Sequence, residues 1–266
     1  MTFFVSSLAD LRLIAGTFLD TEAFFVHLLA VLRELILTSP VALTTVRRMT
    51  DNRKASVALI AGSVGIIITM VFHPHGKIAP ERVEQMVRML IAMHTLALLS
   101  IPVILLGLWG VSRWLATPDR ISWAALLLYA IGSIAVMNAA VLDGLVAPVL
   151  IRKIVSATPE TREMTRMFMD YNFQLNQAFA RVYAVGSSLA LLLWSVSILR
   201  KRTAGSANGI YGCILGVVTA GGIFSGYLSP SWHGFGMLVF GQAIWFLAVA
   251  KEMWSQQEVA TLTPAQ

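Results

Sequence analysis

Four histidines, one aspartate and one arginine stand where a largely apolar chain has little reason to keep them. His73 and His75 flank a proline in His73-Pro74-His75-Gly76, His94 interrupts the apolar run Met89–Leu108, and His233 follows Trp232. Proline disfavours helix for the residue before it, so an apolar helix is expected to stop at His73. In an extended segment residues two apart point the same way, and both imidazoles could face one ion. Asp143 falls within Val136–Leu150, where a carboxylate costs about 2.5–3.5 kcal/mol near the centre of a membrane-crossing helix and less toward the interface. Arg181 is its expected counter-ion.

Neutral imidazole suits zinc, copper or iron, and a carboxylate can ligate the ion or orient a ligand. His73, His75, His94 and His233 are therefore candidate metal ligands, with Asp143 as ligand or support. His94 with His233 could instead hold one haem, since two axial imidazoles on different helices suffice. Either centre could serve redox chemistry or metal-assisted hydrolysis. Asp143 and Arg181 are the candidate catalytic pair, and Asn172, Asn176, Gln177, Tyr183 and Trp232 the candidate pocket. Each residue also has a plainer role: a solvated turn for His73 and His75, an interhelical hydrogen bond for His94, an interfacial anchor for His233, an ionic clamp for Asp143 with Arg181.

The elements that must position these residues are apolar helices. Six nearly uncharged stretches run over about Ala55–Phe72, Val87–Leu115, Ile121–Ile151, Phe179–Leu199, Ile210–Leu228 and Trp232–Ala250. A hydrocarbon core about 30 Å thick takes about 20 helical residues to cross, and helices satisfy every backbone group internally there. Composition agrees: 13% of residues are charged and 57% hydrophobic, against roughly 25% charged in soluble domains. The expected fold is an all-α integral membrane protein, a bundle of six transmembrane helices over residues 51–254. An amphipathic segment (1–50) precedes it and a polar tail (255–266) follows.

Met1–Thr50 carries Asp10, Arg12, Asp20, Glu22, Arg33 and Glu34 among its apolar residues, too many charges for a clean signal peptide. Phe24, Phe25, Leu28, Leu29, Leu32, Leu35 and Ile36 sit near helical spacing, as in a helix lying on a membrane surface. Met49-Thr50-Asp51-Asn52-Arg53-Lys54 also reads as a start of translation, which would place residues 1–48 outside the natural chain. A second amphipathic stretch precedes the fourth span. Thr158-Pro159-Glu160 is a helix start, with Thr as cap and Pro at the first helical position, and a helix is expected from Pro159 through Leu199.

With six crossings, the end of span one, the start of two, the end of three, the start of four, the end of five and the start of six share one side. His73, His75, His94, Asp143, Asn172, Asn176, Gln177, Arg181, Tyr183, Trp232 and His233 all fall toward it. The opposite side offers mainly Arg47, Arg48, Arg53, Lys54, Arg113, Arg120, Arg200, Lys201, Arg202 and Lys251. Short basic loops face the cytoplasm, so both ends are expected there and the polar cluster outside. Size and short loops suggest a bacterial inner membrane. Gly212, Gly216 and Ala220 recur every fourth residue, spacing that lets helices approach closely or associate with a membrane partner or second copy.

The net charge of +6 comes from groups beside apolar spans rather than from a basic stripe with interleaved aromatics, so nucleic-acid binding is not expected. P-loop, dinucleotide, HExxH and GxSxG motifs are absent. Cys213 is the only cysteine, and no internal disulfide can form. Three functional classes stay open: a metal or haem site, a small-molecule binder or transporter using the same pocket, and a non-catalytic scaffold stitched by its polar side chains.

Overall fold

The computed structural model describes residues 44–74, 80–115, 120–201, 205–228 and 232–262. The N-terminal segment before Thr44 and His75 lie outside them, as do the side chains of Trp232 and His233. Everything below concerns the compact unit that begins at Arg48. Its elements are α1 (Thr44–Phe72), a single 3-10 turn (Pro80–Arg82), α2 (Val83–Leu115), α3 (Ile121–Val141), a π turn (Leu142–Val146), α4 (Ala147–Ser156), α5 (Pro159–Lys201), α6 (Ser206–Phe224) and α7 (Trp232–Leu262). α3, the π turn and α4 form one continuous span, giving six helices long and apolar enough to cross a membrane. The protein is a six-helix membrane bundle. α7 continues through Leu262, into residues expected as a polar tail.

Helix limits follow local chemistry. Thr158 caps α5, its hydroxyl accepting from the Thr161 N–H at 3.4 Å and its carbonyl from the Arg162 N–H at 2.8 Å. Gly226 ends α6 with φ of 77°, the left-handed conformation that glycine adopts without penalty. There the Leu228 N–H closes back on the Gly222 carbonyl at 2.8 Å, as in a glycine-terminated helix end.

One end of the bundle is tied to a common level. Arg113 pairs with Asp51 at 3.2 Å, and the Trp114 indole donates to Gln256 at 3.1 Å. Lys201 donates to the Trp114 carbonyl, Asn208 to Glu252 at 2.9 Å, and Ser122 and Ser112 exchange hydrogen bonds. This end is the base. Above it lies the core, where Trp194, Trp245, Tyr129 and Phe246 are buried with ring centroids 5.8–6.1 Å apart. The Trp194 indole donates to Ser112 at 2.9 Å. A buried chain links Tyr183 to Gln242 at 2.8 Å and Gln242 to Ser187 at 2.7 Å.

Small residues decide which helices meet. A Cβ on Gly62 or Gly65 of α1 would strike Ile104 or Ser100 of α2, and one on Gly107 or Gly110 of α2 would strike Leu59 or Ala55 of α1. The two helices thus touch along both lengths, and the Thr69 hydroxyl reaches the Met93 carbonyl at 3.3 Å. On α6, Gly212 and Gly216 sit against Ser195 and Ser188 of α5 in the same manner. Close backbone approach is the usual basis of helix association where lipid removes the hydrophobic drive.

Candidate metal centre

Where α1 ends, α2 is still helical and the third span opens into its π turn, three side chains converge. His94 Nε2 lies 3.2 Å from Asp143 Oδ2 and His73 Nε2 lies 3.6 Å from the same oxygen. One potential ligand atom from each residue falls within 4.8 Å of the others. The rings of His73 and His94 meet edge to face with centroids 4.9 Å apart.

Each residue is there for a local reason. Pro74 ends α1, and His73 turns its Nδ1 onto the Pro74 carbonyl at 3.0 Å. His94 turns its Nδ1 back onto the Leu90 carbonyl, one helical turn earlier, at 2.8 Å. A carbonyl only accepts, so each Nδ1 carries its hydrogen. Both Nε2 atoms consequently present to Asp143, and unless protonated they bring lone pairs against an anion.

Asp143 owes its position to the π turn. Ala147 bonds to the Leu142 carbonyl, five residues back, instead of four. Pro148 follows at once and has no N–H to give, and a proline ring crowds the carbonyl four residues before it, here that of Gly144. Widening the helix relieves that crowding. α5 reaches carbonyls at and just before the turn: Asn172 donates to Leu142 O at 3.2 Å and Asn176 to Ala139 O at 2.9 Å. Gly144 is the other requirement. A Cβ there would overlap Cβ and Cγ of His94, so only glycine lets the third span lie across the histidine.

Helix rise gives the level of the site above the base. From the base, Asp51 to Phe72, Leu115 to His94 and Ile121 to Asp143 each span about 31–33 Å along their helices. That is one hydrocarbon thickness. His94 and Asp143 therefore stand about one such length from the base. The Asp143 side chain keeps 42% of its surface exposed, against 9% for His94 and 13% for His73.

Arg181 corrects the sequence-based expectation of a counter-ion to Asp143. It is exposed on α5, and the ionic partners of Asp143 are the two imidazoles. At α5's pitch of 3.6 residues per turn, Asn172, Asn176 and Tyr183 face inward while Arg181 is turned away. The inward group ties helices together: the two asparagines hold the third span, and the Tyr183 hydroxyl holds Gln242 of α7. Gln242, fully buried within an apolar span, is a polar residue that sequence reasoning passed over although its composition signalled it. Elsewhere, Arg152 forks onto Glu84 with two bonds of 3.0 Å, fastening α4 to α2.

Beside the triad opens a cavity of about 320 Å³. His73, His94, Asp143, Asn176 and Gln177 line it together with Ile66, Met70, Ile101, Val136, Tyr183 and Phe235. Comparison of the chain with protein-family models, with curated proteins and with solved structures finds no match.

Proposed function

We propose that His73, His94 and Asp143 are the protein ligands of a transition-metal ion, and that the protein carries out metal-dependent chemistry on a molecule held in the adjoining cavity. The observation that carries this reading is the fixing of both Nδ1 hydrogens by backbone carbonyls, which turns both Nε2 atoms toward one carboxylate oxygen. A ligating histidine normally donates its other ring hydrogen to a carbonyl or carboxylate. With bonds of about 2.0–2.1 Å, ligand atoms around a tetrahedral ion lie about 3.3 Å apart; the two imidazole–carboxylate separations of 3.2 and 3.6 Å straddle that, and the three ligand atoms together lie within 4.8 Å of one another.

Two imidazoles and a carboxylate leave coordination positions open, the arrangement of catalytic zinc sites and of non-haem iron sites with one open face. Such an ion would act as a Lewis acid or redox centre. This chain's own part is to hold the imidazoles in one tautomer, to present the carboxylate from the π turn, and to line the open face with Asn176 and Gln177. Basic residues at the base, among them Arg53, Arg113, Arg120 and Lys201, support an outward-facing site with both ends in the cytoplasm, as in a bacterial inner membrane.

The alternative is a metal-free clamp in which protonated imidazoles hold Asp143 and fasten three spans. The convergence of the three residues from separate helices favours it equally on geometry alone. Metal analysis of the purified protein after incubation with zinc, ferrous iron and cuprous or cupric copper decides between them. The expected result is one ion per chain, lost in His73→Ala, His94→Ala and Asp143→Asn. Protein that takes up none of these ions is the clamp.

A further inference from the structure

The cavity runs from the triad toward the membrane interior. Ile66, Ile101 and Val136 in its wall stand about 21–23 Å above the base along their helices, about 10 Å below the level of His94 and Asp143. With the base taken as one membrane face, its reactive end comes to the opposite surface and its apolar end to the depth of lipid tails. The chemistry divides the same way. Imidazole, carboxylate and the amides of Asn176 and Gln177 gather at the upper end, whereas Ile66, Ile101 and Val136 wall the lower one. The Tyr183 hydroxyl near the lower part already donates to Gln242, so water filling that part would find few partners, since a buried water needs two to four. An apolar chain does not have that need.

We infer that the molecule acted on is a single-chain membrane amphiphile, with an oxygen-bearing head group at His73, His94 and Asp143 and its apolar stem descending between Ile66, Ile101 and Val136. The assignment rests on the metal reading only for the role of the head group; the stem's place follows from the cavity. At about 30 Å³ for each water-sized unit, the 320 Å³ space takes roughly eleven non-hydrogen atoms. A two-chain phospholipid is too large for it. A small polar solute would leave the lower wall uncovered.

The probe is a ten-carbon alkyl hydroxamate bearing a diazirine near the end of its chain, added to the full chain in lipid nanodiscs. After photolysis the labelled peptides are mapped by mass spectrometry, and bound metal is counted on the same sample. Saturable labelling at Ile66, Ile101 or Val136, displaced by the unlabelled ten-carbon compound, is expected. Filling the lower end by Val136→Trp, or independently by Ile101→Trp, should abolish that labelling and leave metal content unchanged. Labels confined to lipid-facing Leu127, Ile131 and Ile134, or cavity labels that do not saturate, would overturn the assignment. Full metal content with an unlabelled cavity sinks the amphiphile alone. A saturable cavity label on metal-free protein keeps the amphiphile and removes the metal.

Discussion

Replacing Gly144 by alanine tests the site without touching a ligand. The added Cβ would overlap Cβ and Cγ of His94 and crowd its Nδ1. His94 cannot simply yield, because its Nδ1 is bonded to Leu90 at 2.8 Å and its side chain is 9% exposed. Either the third span moves away from α2 or the imidazole leaves its place. Overpacking of this kind costs about 1–3 kcal/mol, and disturbing the support of a metal ligand typically costs about 10–100-fold in affinity. The expected outcome for Gly144→Ala is both: a lower unfolding temperature in detergent, and metal affinity reduced 10–100-fold in a chelator competition. Gly221→Ala is the matched control. No atom lies near a Cβ at that position, and alanine in place of a helical glycine is worth up to about 1 kcal/mol of stability. Unchanged metal affinity in Gly144→Ala, alongside a normal Gly221→Ala, would refute the claim that contact between the third span and α2 sets the position of His94.

Other outcomes follow from the same geometry. Asp143→Asn should keep the fold and lose metal, since an amide offers a weaker donor and no charge; retention of a full equivalent would remove Asp143 from the site. Metal uptake should weaken steadily on acidification, because protons compete for the imidazole nitrogens that the ion needs, and an affinity flat with pH would argue against histidine ligands. Tyr183→Phe removes the donor to Gln242 and should lower stability by about 0.6–1.7 kcal/mol, the range measured for hydrogen bonds between membrane helices, with metal content unaffected. Arg181→Ala should change neither metal content nor stability, as the side chain is exposed and Asp143 has other partners.

The fold was legible because lipid imposes a coarse rule. Stretches such as Ala55–Phe72 have no stable alternative to a spanning helix, and Thr158-Pro159 marks the start of α5 by cap chemistry alone. Parity of crossings alone brings His73, His94 and Asp143 toward one end. What parity cannot supply is direction around a helix axis. Arg181 and Tyr183 are two residues apart on α5, close in sequence and nearly opposite in azimuth, so the arginine was matched to a carboxylate it does not face. The π turn was hidden for another reason. Pro148 marks a disturbed helix, but whether it bends or widens depends on packing, here with Asn172 and Asn176 of α5 adding second hydrogen bonds to carbonyls of the third span. In the sequence Gly144 is one glycine of many; its meaning appears only when His94 is seen beneath it.

That dependence on packing has a thermodynamic consequence. The three candidate ligands sit on three different spans, and His73 lies beyond the end of α1, so no one helix carries the site. An ion that binds only the packed arrangement must stabilise it by linkage, by about 2.7 kcal/mol when free metal stands at 100 times its dissociation constant. The gain should be felt where α1, α2 and the third span meet, and much less at the base, which has its own ties through Asp51, Arg113, Trp114 and Lys201. Hydrogen exchange can resolve this difference. Metal should slow exchange around Thr69–His73, Leu90–His94 and Leu142–Val146, and leave the basal ends of α2 and α5 nearly unchanged. Equal slowing throughout would mean that the bundle opens as one unit, and slowing confined to the base would place the ion somewhere other than His73, His94 and Asp143.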